Sequence, residues 1–166
     1  NAGIRHLEGR TVGLDGVVAQ QDNYRKSGFV LAGRNIRHTG IAKHATHSGG
    51  DCTIRPVTNA DLPSLAVFDR NHFPAGRSAF LRNWVVPGSA VRRTSLLAER
   101  NGAIAGYGTI RSCRAGFKIG PRFADNPDRA EALFGALAAT VPEGAEISLD
   151  TPEDNKSAVD MARGAG

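Results

Sequence analysis

GLDGVVAQQDNYRKSGFVLAGRNIRH, residues 13–38, is the stretch that decides the fold. It reads as strand, helix, strand. Thr11–Leu14 is a short strand, and Val17–Ser27 forms a helix after Asp15. Gly28 stops that helix, because the left-handed backbone favoured there suits glycine or asparagine. Phe29–Ile36 then alternates in part, through Phe29, Leu31 and Ile36, and reads as a second strand. A weaker copy of the same order recurs at residues 146–166, EISLDTPEDNKSAVDMARGAG. The order thus occurs twice, and the chain reads as a first segment, residues 1–37, followed by a larger second part.

Residues 38–51, HTGIAKHATHSGGD, are rich in Gly, Ser and His without periodicity and read as a linker. A new domain is expected to start at Cys52 and run to residue 166. Cys52–Val57 is a strand, and Thr58 with Asp61 three residues on makes a capping box for a helix buried through Leu62, Leu65 and Phe68. Arg77–Val86 gathers Phe80, Leu81, Trp84 and Val85 on one helical face. Asn101-Gly102 predicts a hairpin between Thr94–Arg100 and Ile104–Cys113. After a strand at Gly116–Phe123, residues 126–141 give the clearest helix, with Ala130, Leu133, Phe134, Leu137, Ala138 and Val141 at helical spacing. Ile147–Leu149 is a strand and Asn155–Arg163 a helix, after which a closing strand is expected and absent. The fold class is α/β or α+β: a mixed, largely antiparallel sheet flanked by helices.

With 166 residues, 40% of them hydrophobic and 22% charged, the chain suits an ordinary globular protein. No segment approaches the ~18 uncharged apolar residues of a membrane helix. Two cysteines, Cys52 and Cys113, do not make a disulfide framework, and a cytoplasmic location is expected. The net charge of +5 favours anionic ligands. Aromatic and basic residues do not alternate as in single-strand nucleic-acid binders, so no specific nucleic-acid partner is expected.

The element order, with NYRKSGF, NHFPAGRSAFLRNW and GFKIGPRFAD, resembles the GNAT superfamily of N-acetyltransferases. More narrowly it resembles tandem members, with an acetyltransferase domain followed by a diverged copy, which implies that residues 1–37 are the C-terminal tail of the first domain and residues 52–166 most of the second. The resemblance implies acetyl transfer from acetyl-CoA to a primary amine, on a small molecule or a peptide. It also implies that a Tyr four residues before a Gly-Phe pair protonates the departing thiolate. Tyr24, Gly28 and Phe29 fill those places, so Tyr24 is the catalytic candidate. In the family a glycine-rich turn before the long helix holds the pyrophosphate on backbone N–H groups. Here that turn reads Ala124-Asp125-Asn126-Pro127-Asp128-Arg129-Ala130, with carboxylates in the Arg slot and a Gly slot and no N–H at Pro127. The Tyr slot of the second copy holds Ala162, and Gly166 fits its closing Gly. The resemblance thus assigns acetyl-CoA to the N-terminal domain of the parent polypeptide and leaves the cofactor-binding residues of this chain unknown. The alternative is a non-catalytic module of the same fold, used for substrate binding or assembly, with homo-oligomers in view.

Other clusters carry less. His38, His44, His47 and Cys52 match no zinc signature, and no metal is expected. Arg111, Arg114, Lys118 and Arg122 form a basic group around two strands, suited to an acidic substrate or a phosphate, or simply solvated. Asp69, Arg70, His72 and Arg77 frame the bend at Phe73-Pro74-Ala75, where His72 has the chemistry of a base near neutral pH. Tyr107 lies between Gly106 and Gly108, and such glycines mark a bulge or a close approach of backbone.

Overall fold

The computed structural model describes residues 5–44, 51–86 and 92–165. They fall into two compact units, one ending at Gly33 and one starting at Arg34.

In the first unit a short 3-10 turn, Val18–Gln20, leads into helix α1, Gln21–Lys26. Asp22 sits in its first turn and Arg25 and Lys26 in its last, the charge order that suits a helix dipole. Gly28 stops the helix as expected, at φ 89°. The N–H of Gly28 bonds the Arg25 carbonyl and the N–H of Phe29 bonds the Tyr24 carbonyl, both at 3.0 Å. These two bonds make a Schellman cap. The strands expected at Thr11–Leu14 and over Phe29–Arg34 do not form, since neither segment has a ladder partner among the described residues.

In the second unit β1 is Asn35–Ile41, β2 Thr53–Pro56, α2 Leu62–Arg70 and α3 Ser78–Phe80, which continues as a π-helical turn, Leu81–Val85. Then come β3 Arg93–Arg100, β4 Ala103–Ser112, β5 Phe117–Ala124, α4 Pro127–Ala138, β6 Glu146–Pro152 and α5 Lys156–Gly164. The six strands form one mixed sheet in the order β1-β6-β5-β4-β3-β2. All neighbours run antiparallel except β5 and β6.

The local signals before these elements are met. Thr58 and Asp61 form the capping box ahead of α2. Asn101 and Gly102 turn the β3–β4 hairpin at φ 51° and 76°, as a two-residue turn of this type requires. Asn126 caps α4 by accepting from the Arg129 N–H at 2.9 Å.

One boundary differs from the sequence expectation. The segment expected to be a linker from residue 38 is strand through Ile41, and Ala42 beyond it is buried. β1 pairs with β6 along its whole length, from Asn35–Pro152 to Ile41–Glu146. The second unit therefore starts at Arg34 rather than Cys52, and β1 forms the sheet edge beside β6. Ile36, His38 and Gly40 alternate with exposed residues along it. With a His and a Gly at inward positions, the pattern does not look apolar.

The sheet buries both faces. Its back face, under α4 and α5, packs Leu96, Ile110, Ile119, Ile147 and Leu149 against Leu133, Leu137 and Ala162. Full burial of Leu133 or Leu137 contributes about 1.5–3 kcal/mol each. Helix α4 comes so near β4 that a Cβ on Gly106 or Gly108 would lie 2.8 Å from a methyl of Leu133 or Leu137 respectively. The front face, under α2 and the π-helical turn, packs Leu97 and Tyr107 against Leu65, Leu81 and Val85. Between the pairs Gly108–Arg122 and Ile110–Ile119, β5 carries one more residue than β4, a bulge at Gly120-Pro121.

Hydrogen exchange on the chain tests the new boundary. Amides within Asn35–Ile41 that bond β6 are expected to exchange slowly, like those of the central strands, while amides from Val30 to Gly33 exchange fast. Uniformly fast exchange across residues 30–41 would show that β1 has no partner.

Candidate functional site

The parallel pairing of β5 with β6 covers three steps only, Phe117–Ile147, Lys118–Ser148 and Ile119–Leu149. Past Ile119 the two strands share no ladder pair, and a gap opens between them. The bulge lies at its start. The Gly120 carbonyl there accepts from the Trp84 indole N–H at 3.2 Å. On the back face Arg122 donates to the Ala130 carbonyl at 2.7 Å and lies 3.2 Å from the Met161 sulfur. No carboxylate among the described residues pairs with it, and burial pulls its guanidinium down to about 10.

The turn from β5 into α4 is filled by the chain itself. Besides the Asn126 cap, Arg129 bonds Asp125 at 2.6 Å and grips Asp51 with two nitrogens at 3.0 and 2.6 Å. Asp128 adds a carboxylate to the first helical turn, and Pro127 offers no N–H.

On the front face the bend between α2 and α3 builds an acid–base cluster. Asp69 is buried at the end of α2. Arg77 holds it through two hydrogen bonds of 2.8 and 2.7 Å, and the Tyr107 hydroxyl donates to it at 2.5 Å. Burial pushes the Asp69 carboxyl up, but the bonds from Arg77 and Tyr107 outweigh it, and the net shift is downward. Burial, then the adjacent carboxylate, raise the Tyr107 hydroxyl, so it stays a neutral donor. The Arg77 guanidinium also lies over Phe73 and Phe80, at 4.0 and 4.6 Å. His72 stacks on Phe123 at 5.1 Å and leans on Phe68. Burial lowers its pKa against the opposing pull of Asp69 and Asp125, so the ring is neutral at physiological pH.

The basic group expected from sequence divides. Arg111 and Lys118 are direct partners across β4 and β5 and share the front face. Arg122 faces back, and Arg114 lies exposed in the connecting hairpin. Arg93 was not singled out from the sequence. Its register partner is Arg111, a relation that only strand pairing creates.

Tyr24 is half-buried in the first unit, its ring against Gly16. Its spacing to Gly28 and Phe29 is also what the Schellman cap requires, since Tyr24 supplies the carbonyl that Phe29 bonds. His38 lies 2.9 Å from the Thr151 hydroxyl and His44 2.8 Å from the Val141 carbonyl, while His47 lies outside the described residues. Among the described residues no His, Cys, Asp and Glu side chains gather into a group able to hold a metal, and no helix is long and apolar enough to cross a membrane.

The model of the acetyltransferase (GNAT) domain matches residues 65–166, more than half of the chain, and the chain belongs to that family. It is 29% identical over 149 residues to a holothin acyltransferase of a Pseudoalteromonas species, covering 90% of this chain and 49% of that relative. The chain thus spans about half the length of the curated relative it matches. Among solved structures, a conserved Staphylococcus epidermidis protein of unknown function superposes with TM-score 0.62 at 16% identity, over 92% of this chain and 64% of that one. A GCN5-related N-acetyltransferase from Anabaena variabilis gives 0.60 at 16% identity, over 85% and 39%. These likenesses show the fold. Family members use acetyl-CoA in general, but the capped, carboxylate-lined turn at Asp125–Arg129 does not fit a pyrophosphate. Two carboxylates repel it, and the Arg129 N–H is already engaged.

Replacing Asp69 by Asn is expected to destabilise the chain by about 3–5 kcal/mol at neutral pH, because Arg77 loses its buried counter-charge. The folded pKa of Asp69 is lowered, so this contribution is present above the ordinary carboxyl value of about 3.9 and is lost as pH falls through the folded value. Denaturant midpoints of wild type and D69N should therefore converge in acid. A constant difference from pH 7 to pH 2 would contradict the assignment.

Proposed function

We propose that the chain is part of an acyltransferase that moves an acetyl group from acetyl-CoA to a primary amine on a small molecule or peptide. Membership of the GNAT family, carried by residues 65–166, is the observation behind this reading. The donor belongs to an N-terminal domain of the longer polypeptide, and residues 34–166 shape the acceptor side. Tyr24 acts as proton donor to the leaving group. An ammonium must lose a proton before it attacks. The enzyme is placed in the cytoplasm, and association of copies is compatible with this scheme.

A second reading is favoured by one observation. The Asn126 cap and the Asp125–Arg129–Asp51 network fill the turn where a donor site would lie. Residues 34–166 would then serve as a non-catalytic module of the same fold.

Calorimetry with acetyl-CoA separates the two domains' contributions. The longer polypeptide is expected to bind it, and this chain to give no saturable heat. Micromolar binding by this chain, lost on substitution within Asn126–Ala130, would overturn the placement of the donor. In the longer polypeptide Tyr24→Phe should lower turnover about a hundredfold with little change in acetyl-CoA affinity. Unchanged turnover would remove Tyr24 from the chemistry.

A further inference from the structure

One row across the front face carries positive charge that the chain does not neutralise. Arg93, Arg111 and Lys118 stand directly opposite one another on β3, β4 and β5. Lys118 has a partner: it donates to Asp150 at 2.6 Å, and Arg37 holds the same carboxylate from the other side. Arg93 and Arg111 have no carboxylate partner among the described residues. All sixteen Asp and Glu residues lie among the described residues, and none forms an ion pair with either arginine.

Like charges directly opposite on neighbouring strands destabilise a sheet. Here the two guanidiniums also converge on one ring. Arg93 lies 5.6 Å and Arg111 5.7 Å from the centre of Trp84. The ring moderates both charges and cancels neither. It is fixed in place by the indole bond to Gly120, the first residue beyond the last parallel pair.

Free donors remain. Arg93 spends Nη2 on the Asn83 and Val86 carbonyls, at 2.7 and 3.2 Å, and its buried Nε has no partner among the described residues. Arg111 spends Nη1 on the Ser112 carbonyl and the Cys113 sulfur, at 3.4 and 3.1 Å. Nη1 of Arg93 and Nε and Nη2 of Arg111 make no hydrogen bond among the described residues. A planar guanidinium fork with free N–H groups matches the spacing of a carboxylate or phosphate.

We propose that Arg93, Arg111 and Trp84 form a seat for the oxyanion group of a small molecule, a carboxylate or a phosphate, beside the gap between β5 and β6. The oxyanion supplies the counter-charge that the sheet lacks, and the Trp84 ring offers an apolar wall to the rest of the molecule. The seat goes beyond the proposed acyl transfer and is tested without any turnover.

Trp84 is the chain's single tryptophan, so its fluorescence reads the seat directly. Sodium phosphate and sodium acetate are titrated separately into the full chain, with sodium chloride at matched ionic strength as control. At least one oxyanion is expected to give a saturable change that chloride does not. Saturation by phosphate alone assigns a phosphate group, and by acetate alone a carboxylate. Arg111→Gln should weaken the binding about tenfold or more, one charge-assisted fork being lost. Arg114→Gln, which removes an exposed charge from the same hairpin, should leave it unchanged. The hydrogen bonds of Arg111 stay within its own hairpin, so R111Q is expected to keep a melting temperature near that of wild type, whereas Arg93 bonds the carbonyls of Asn83 and Val86 and is left intact. A response equal to that of chloride, or equal affinity in wild type and a folded R111Q, would overturn the proposal.

Discussion

Three parallel steps between β5 and β6 organise the second unit. They tie the antiparallel β2–β5 meander to the β6–β1 pair, and α4 has to cross the back face to link the two strands. Because the pairing stops at Ile119 and Leu149, the strands separate where the β5 bulge begins. Trp84, Arg122 and Phe123 lie around that point. Trp84 closes on the Gly120 carbonyl in front, Arg122 turns back toward α4 and α5, and Phe123 supplies the surface on which His72 stacks.

Much of the fold was legible because the signals are local. The capping box at Thr58, the Asn101-Gly102 turn, the Asn126 cap and the helical spacing of Leu133 and Leu137 each act over a few residues. The edges of the first unit were not legible. Thr11–Leu14 and Phe29–Arg34 have strand-like composition, but a strand is fixed by its neighbour and not by its own residues. In the reverse case β1 hid behind His38 and Gly40, residues that suggest a loop although both face inward.

The candidate site divides the same way. Asp69, His72 and Arg77 sit within nine residues around one bend, so their meeting is visible in the sequence. Tyr107 joins them from β4, placed by two flanking glycines that admit helix α4 on the opposite face. The Arg93–Arg111 pair needs hairpin register to appear at all. Tyr24 shows the opposite ambiguity: the spacing that suggests chemistry is also the spacing of a helix cap, so spacing alone does not separate the two.

The β1–β6 ladder has a consequence for how the second unit assembles. Arg37 and Asp150, bonded across it, are 113 positions apart in sequence. During synthesis β1 leaves the ribosome before every other strand of its sheet, yet its only neighbour among the six is one of the last elements made. The sheet therefore closes through a contact of very high sequence separation, the kind that slows folding because the loop must be ordered before the contact forms. Until it closes, β6 has a bare edge open to pairing with another chain. Truncation at Cys52 would make that transient state permanent, so a boundary placed by the loop-like look of residues 38–51 would yield an aggregation-prone fragment instead of a domain.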